Sequence, residues 1–190
     1  MKLMLKRTFD LIVALFAIIF LAPVLLIVCL MVRLTSPGPA IYWSDRIGQN
    51  NIIFRMPKFR SMVLDAPTLA THLLQNPQVY LSPIGSFIRK TSVDELPQLW
   101  SILIGDMSFV GPRPALFNQR DLIELRTQLG VAVLKPGLTG WAQVNGRDEL
   151  DIAAKVDLDY QYFLHRSFGF DLKILCLTIL KVIRSEGVVH

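Results

Sequence analysis

Between Leu11 and Val32 the chain runs 22 residues without a charge, and every side chain in that run except Pro23 is apolar. As an α-helix rising about 1.5 Å per residue it would extend about 33 Å, enough to cross a hydrocarbon core of about 30 Å. A cleavable secretory signal does not fit. Lys2, Lys6 and Arg7 precede the run as such a signal requires, but its apolar core would be about 7–15 residues long and would end in a small-residue cleavage site. This run ends instead at Met31-Val32-Arg33. Pro23 sits near its midpoint, removes its own N–H and crowds the carbonyl of Ile19, so a kink is expected there. Cations flank both ends, Lys2, Lys6 and Arg7 before and Arg33 after, which blunts the charge asymmetry that orients a span. A spanning helix with a tolerated kink and a re-entrant hairpin both meet these constraints.

The 190 residues leave room for one ordinary domain beyond this element. With 52% hydrophobic residues, 18% charged residues and a mean hydropathy of +0.44, intrinsic disorder is excluded. Twenty Lys and Arg against fifteen Asp and Glu give a formal charge of +5, which suits phosphate, nucleic acid or an anionic membrane face. Cys29 and Cys176 stand far apart in apolar stretches, so neither a disulfide framework nor a zinc site is indicated.

Thr35-Ser36-Pro37-Gly38-Pro39 is a cluster of helix breakers, separating a membrane element (residues 1–36) from a core (residues 37–190). Ile41-Tyr42-Trp43 and Ile52-Ile53-Phe54 flank a polar link containing Gly48 and ending in Asn50-Asn51, the pattern of a β-hairpin. Residues 64–80 are polar and read as a surface excursion. Helices are expected at Pro97–Ile104, Asn118–Leu129, Ile152–Leu164 and Leu172–Arg184. The expected fold is therefore mainly α with a small β-hairpin. In the last helix Lys173, Lys181 and Arg184 fall within an arc of about 80° at 100° per residue, and the rest of the circumference is almost wholly apolar. That layout fits a buried core helix or a helix lying in the headgroup plane with its cations toward anionic lipid.

The chemistry concentrates at Asp94-Glu95, within Arg89-Lys90-Thr91-Ser92-Val93-Asp94-Glu95-Leu96-Pro97-Gln98-Leu99. Ser92 and Glu95 match a capping box, so the acids could simply start a helix. Pro97 would then delete a hydrogen bond inside that helix, whereas placing it in the first turn sets the acids at the helix entrance, where a carboxylate stays ionised and anions bind. Cations recur in or beside Gly/Pro turns: Lys58-Phe59-Arg60, Arg89-Lys90, Gly111-Pro112-Arg113-Pro114 and Gly146-Arg147. Arg in a rigid loop suits bidentate phosphate binding. Several such loops beside an acid pair point to phosphoryl transfer. No GxxxxGK[ST], GxGxxG, HExxH or GxSxG motif occurs.

Four blocks, Lys58-Phe-Arg-Ser-Met62, Arg89 through Leu99, Gly105-Asp-Met-Ser-Phe-Val-Gly-Pro-Arg-Pro114 and Pro136-Gly-Leu-Thr-Gly-Trp-Ala-Gln-Val-Asn-Gly-Arg147, resemble in order the signature blocks of the bacterial sugar transferases, or monotopic phosphoglycosyl transferases. The resemblance implies transfer of a phosphosugar from a UDP-sugar to undecaprenyl phosphate with release of UMP, at the cytoplasmic face of the bacterial inner membrane. It implies Asp94 as a nucleophile forming a covalent phosphosugar intermediate, and Glu95, with Asp94, as the acid associated with Mg²⁺. Lys58, Arg60, Arg89, Arg113 and Arg147 match cationic positions expected to hold phosphate or the acid pair, and Asp171 resembles an active-site acid. The family's membrane element is re-entrant, with both termini cytoplasmic. One departure is Ala22-Pro23 where the family has Ser-Pro, since Ala has no hydroxyl to satisfy a freed carbonyl.

The rival readings are a membrane-tethered binding protein for anionic ligands and a hydrolase of nucleotide sugars. Nucleic acid is the weaker partner, because Trp43, Trp100 and Trp141 are too scattered to form a stacking platform.

Overall fold

The computed structural model describes residues 2–67, 76–146 and 150–184. Its first element is a helix over Lys2–Thr35 (α1) with Pro23 inside it. The expected perturbation at Pro23 does not end the element, and helical geometry continues on both sides of the proline. One stripe of α1 is seated on the rest of the protein. Ala14 and Val32 are fully buried, and Val13, Ala17, Ile18, Leu21, Leu25 and Val28 lie in or against the core. The opposite stripe is bare: Phe16, Ile19, Phe20, Leu26, Ile27, Leu30 and Leu34 are all exposed, Phe20 by 83%. A continuous apolar stripe of that length marks a surface meant for lipid or another apolar phase.

Strands Ile41–Ile47 (β1) and Ile53–Phe59 (β2) form the expected antiparallel hairpin, in a register running from Ile41 opposite Phe59 to Ile47 opposite Ile53. They are longer than the apolar runs alone suggest, because the polar residues Ser44 to Arg46 continue the ladder. The helices are Gly85–Lys90 (α2), Gln98–Ile104 (α3), Arg120–Gln128 (α4), Trp141–Val144 (α5), Ile152–His165 (α6) and Phe168–Arg184 (α7). Four match sequence expectations to within about a turn. The short α2 and α5 have too few residues to show a period. A second sheet was also not legible: Ser108–Val110 (β3) and Gly137–Thr139 (β4) pair in parallel. Residues 68–75 of the expected surface excursion lie outside the described residues, and Pro77–Tyr80 forms a 3₁₀ turn.

The main core gathers Ala14 of α1, Met56 of β2, Leu99 and Ile102 of α3, Met107, Phe109 and Val110 around β3, Val144, Tyr162 and Ile174. Helix α7 joins it through one face, with Ile174 buried and Phe170, Leu175 and Leu177 packed alongside, and leaves Leu172, Ile179, Leu180 and Val182 exposed, so it is not a buried core helix. Lys173 of α7 stands over the Trp141 ring. Replacing Ile102, which is fully buried in this core, should remove packing that the neighbours cannot refill. Ile102→Ala is expected to lower stability by about 2–5 kcal/mol, read as a fall in the thermal unfolding midpoint of the detergent-solubilised protein.

Candidate active site

The acid pair sits on a single 3₁₀ turn, Val93–Glu95, that passes through Leu96 and Pro97 directly into α3. Ser92, just before it, adopts a left-handed conformation (φ 55°) and its side chain caps nothing. The capping-box alternative is thereby excluded. Pro97 stands immediately ahead of the first residue of α3, where its missing N–H has no helical partner to lose. The positive φ at a non-glycine residue turns the chain sharply from α2 into the acid pair, and such conformations are held only where surrounding contacts impose them.

Three further elements converge on this turn. Lys58 from β2 donates to Glu95 Oε1 at 2.9 Å, and Arg113 from the loop after β3 donates to the same oxygen at 2.8 Å. Arg89, at the end of α2, lies close enough to act on Asp94 electrostatically. Thus Lys58, Arg89, Asp94, Glu95 and Arg113 are assembled from four separate stretches of chain.

Asp94 is buried, and desolvation pushes its carboxyl above the usual carboxylate range; Lys58 pulls the other way, Glu95 adds to the rise, and Arg89 and Arg113 oppose it. Burial lowers Lys58 from its ordinary value, with Glu95 acting against that shift. Arg46 of β1, which no motif in the sequence singles out, belongs to the same field. Burial and the nearby Arg113 lower its pKa to about 10, and its guanidinium donates to Ser44 Oγ and to the carbonyl of Pro114. Two carboxylates therefore face four cations, Arg46, Lys58, Arg89 and Arg113, so the site carries excess positive charge. That excess favours an anionic ligand beside a partly desolvated carboxylate.

Two sequence-expected residues lie elsewhere, and a third falls outside the described residues. Arg60 is buried against the linker after α1, donating to the carbonyls of Ser36, at 2.7 Å, and Pro37, so its fork is committed to backbone instead of a ligand. It follows Lys58 by two residues but stands just past the end of β2, where strand alternation no longer sets its direction. Asp171 is buried at the start of α7 and accepts from Lys6 Nζ at 2.6 Å and from the Tyr162 hydroxyl at 2.6 Å. Its partners belong to the anchorage of α1. Arg147 lies outside the described residues.

An acid pair held among cations, in a chain whose first helix is long and apolar enough to cross a membrane, is an arrangement suited to binding a phosphorylated ligand. The chain belongs to the bacterial sugar transferase family, whose profile matches residues 1–185. It is 42% identical to an uncharacterized sugar transferase, EpsL, of Bacillus subtilis strain 168, over 98% of this chain and 91% of that protein. It is also 42% identical to the UDP-glucose:undecaprenyl-phosphate glucose-1-phosphate transferase of Escherichia coli K12, over 94% of this chain and 40% of that protein. With the undecaprenyl-phosphate galactose phosphotransferase of Salmonella typhimurium LT2 it shares 36% identity, over 96% of this chain and 41% of that protein. The chain thus spans less than half the length of these last two relatives.

Glu95 is the charge that lets Lys58 and Arg113 approach each other. Their side chains are 16% and 33% exposed and that of Glu95 is 12% exposed. Glu95→Gln is expected to cost about 2–3 kcal/mol, less than the ~3–5 kcal/mol of a fully buried broken pair because Arg113 keeps contact with water. Thermal unfolding of purified protein at low and high salt measures it.

Proposed function

We propose that this protein transfers a sugar phosphate from a UDP-sugar to undecaprenyl phosphate, releasing UMP, at the cytoplasmic face of a bacterial inner membrane. The observation that carries the reading is the buried Asp94 beside Glu95 under an excess of cations, in a chain 42% identical to a relative named for that donor and acceptor type.

Asp94 is the nucleophile. Its carboxylate oxygen attacks the sugar-bearing phosphorus of the donor, the bond from that phosphorus to the bridging oxygen breaks, and UMP departs with the electron pair. A phosphate oxygen of undecaprenyl phosphate then attacks the same phosphorus, the aspartyl–phosphorus bond breaks, and the Asp94 carboxylate is restored. Desolvation suits Asp94 to this role, because a carboxylate held above its usual range is the more basic nucleophile. Lys58, Arg89 and Arg113 balance the charge of the transferring phosphoryl group, and Arg113 and Lys58 hold Glu95 in place. Glu95 and Asp94 present adjacent hard oxygen donors, a set that fits Mg²⁺, which usually takes one or two carboxylates and completes its shell with water and substrate phosphate. Mg²⁺, if held there by Asp94 and Glu95, would supply further neutralisation of the donor's phosphates.

A re-entrant path for α1 is supported by its anchorage at both ends to one domain. Near its start Lys6 binds Asp171 and the carbonyl of Val110, and Arg7 binds the carbonyls of Ile102 and Leu103. Near its end Val28 and Val32 pack with Ala40, Phe59 and Ile88. A helix seated this way cannot carry one end across about 30 Å of hydrocarbon without taking the domain with it. The bare stripe of α1 and the exposed side of α7 then face lipid, with Lys173 and Lys181 near anionic headgroups.

Asp94→Asn is expected to abolish UMP release from a panel of UDP-sugars with undecaprenyl phosphate and Mg²⁺; retained turnover would refute the covalent course, and absence of UMP from the wild type would favour a binding protein. Single-cysteine tags at either terminus, in a chain with Cys29 and Cys176 replaced, should resist a membrane-impermeant maleimide in intact cells. Labelling of either terminus from outside would establish a span.

A further inference from the structure

Among the described residues, Arg113 is the one site cation carried by a loop, and that loop contains two prolines, Pro112 and Pro114, which cannot donate backbone hydrogen bonds. Its position is set from the acceptor side. The carbonyl of Pro112 accepts from the N–H of Gly137, that of Arg113 from Arg126 Nη1 at 2.8 Å, that of Pro114 from Arg46 Nη1 at 3.2 Å and that of Ala115 from the N–H of Ile47. Every carbonyl from Pro112 to Ala115 is taken. The loop is also packed, with Pro112 and Pro114 buried and Ala115 in a small core cluster with Leu122 and Val156, so the bonds fix the orientation of a segment already held in place.

Of these four supports, two come from neighbouring backbone and one from the site residue Arg46. The fourth, Arg126 of α4, belongs to no catalytic motif. Its remaining donors go to Asp159 of α6: Nε and Nη2 meet Asp159 Oδ2 at 2.9 and 2.5 Å. The Asp159 side chain is 1% exposed and that of Arg126 is 11% exposed. Such a pair has lost most of its hydration and is a weak source of net stability. Its geometric effect is definite, because a planar guanidinium that closes Nε and Nη2 on one buried carboxylate oxygen has its plane fixed, and with it the direction of Nη1. That donor points at the backbone of the residue whose side chain holds Glu95.

We propose that Arg126, oriented by Asp159, is a positioning residue that sets the reach of Arg113 toward Glu95 and the transferring phosphate. The inference rests on the phosphosugar-transfer reading and adds to it a buried relay running from α6 through α4 to the acid pair. Small displacements of a charge-stabilising group are costly, with about 1 Å sufficient for about a hundredfold loss.

The test uses the full chain in lipid nanodiscs and two readouts, kcat for UMP release at saturating donor, normalised to folded protein, and deuterium uptake of the 111–117 segment. Arg126→Gln is expected to lower kcat about tenfold or more and to speed exchange in that segment. Asp159→Asn, which keeps the shape of the buried site and covers the case in which Arg126→Gln fails to fold, should do both to a smaller extent, and Arg126→Lys should restore only part of the loss. In an Arg113→Ala background, Arg126→Gln should cost no further activity, because its effect passes through Arg113. Wild-type kcat with unchanged exchange, or losses that multiply with Arg113→Ala, would overturn the proposal. If the wild type releases UMP from no donor, the functional reading fails by itself, and exchange of the 111–117 segment then decides alone whether Arg126 holds the loop.

Discussion

A single carboxylate oxygen, Oε1 of Glu95, accepts from Lys58 and Arg113 at once, and the strand, helix entrance and loop that meet there bring those two cations to it. Without Glu95 the cations would repel across a few ångströms of poorly hydrated space. With it, the end of a hairpin strand, the entrance to α3 and the loop after β3 meet at one point. Asp94, one residue earlier, is then buried beside this ion cluster, and desolvation raises its carboxyl above the usual range while the nearby cations oppose that rise.

The membrane helix is joined to the same framework. Arg7 donates to the carbonyls of Ile102 and Leu103, and Lys135 donates to that of Gly105, so cations close the C-terminal end of α3, whose other end follows the acid pair. Lys6 spends its ammonium on Asp171, Tyr162 and the carbonyl of Val110, and Asp10 accepts from the N–H of Phe109. These bonds connect α1 to the middle and the end of β3, just ahead of the loop that carries Arg113. The position of α1 and that of the site cations are thereby parts of one connected framework. The close approach of Gly111 and Gly137 completes it, since a Cβ on either residue would collide with the backbone of the other segment.

Much of this was readable from residues alone where the signal is periodic or local. The long apolar run, the hairpin flanking Gly48 and the four longer helices announce themselves through spacing, and Pro97 marks the entrance of α3. Lys58, Arg89 and Arg113 stood out as cations near turn residues, and all three come to the acid pair. Arg60 and Asp171 had comparable local signals but went to the linker and to α1, because direction and burial are decided by neighbours distant in sequence. Arg46, Arg126 and Asp159 had no signal: an arginine in a strand or on a helix face looks like ordinary solvated charge until its partner is seen.

By itself, then, the sequence determined the apolar helix, the hairpin and the residue types available for chemistry, since each follows from covalent properties and short-range periodicity. Tertiary structure decided which of many cations reach the acid pair, that a three-residue parallel sheet holds the Arg113 loop, and that both halves of α1 rest on one domain. Those outcomes depend on contacts between residues separated by tens of positions. Their energy comes from mutual burial and charge pairing, which exist only after the chain has closed.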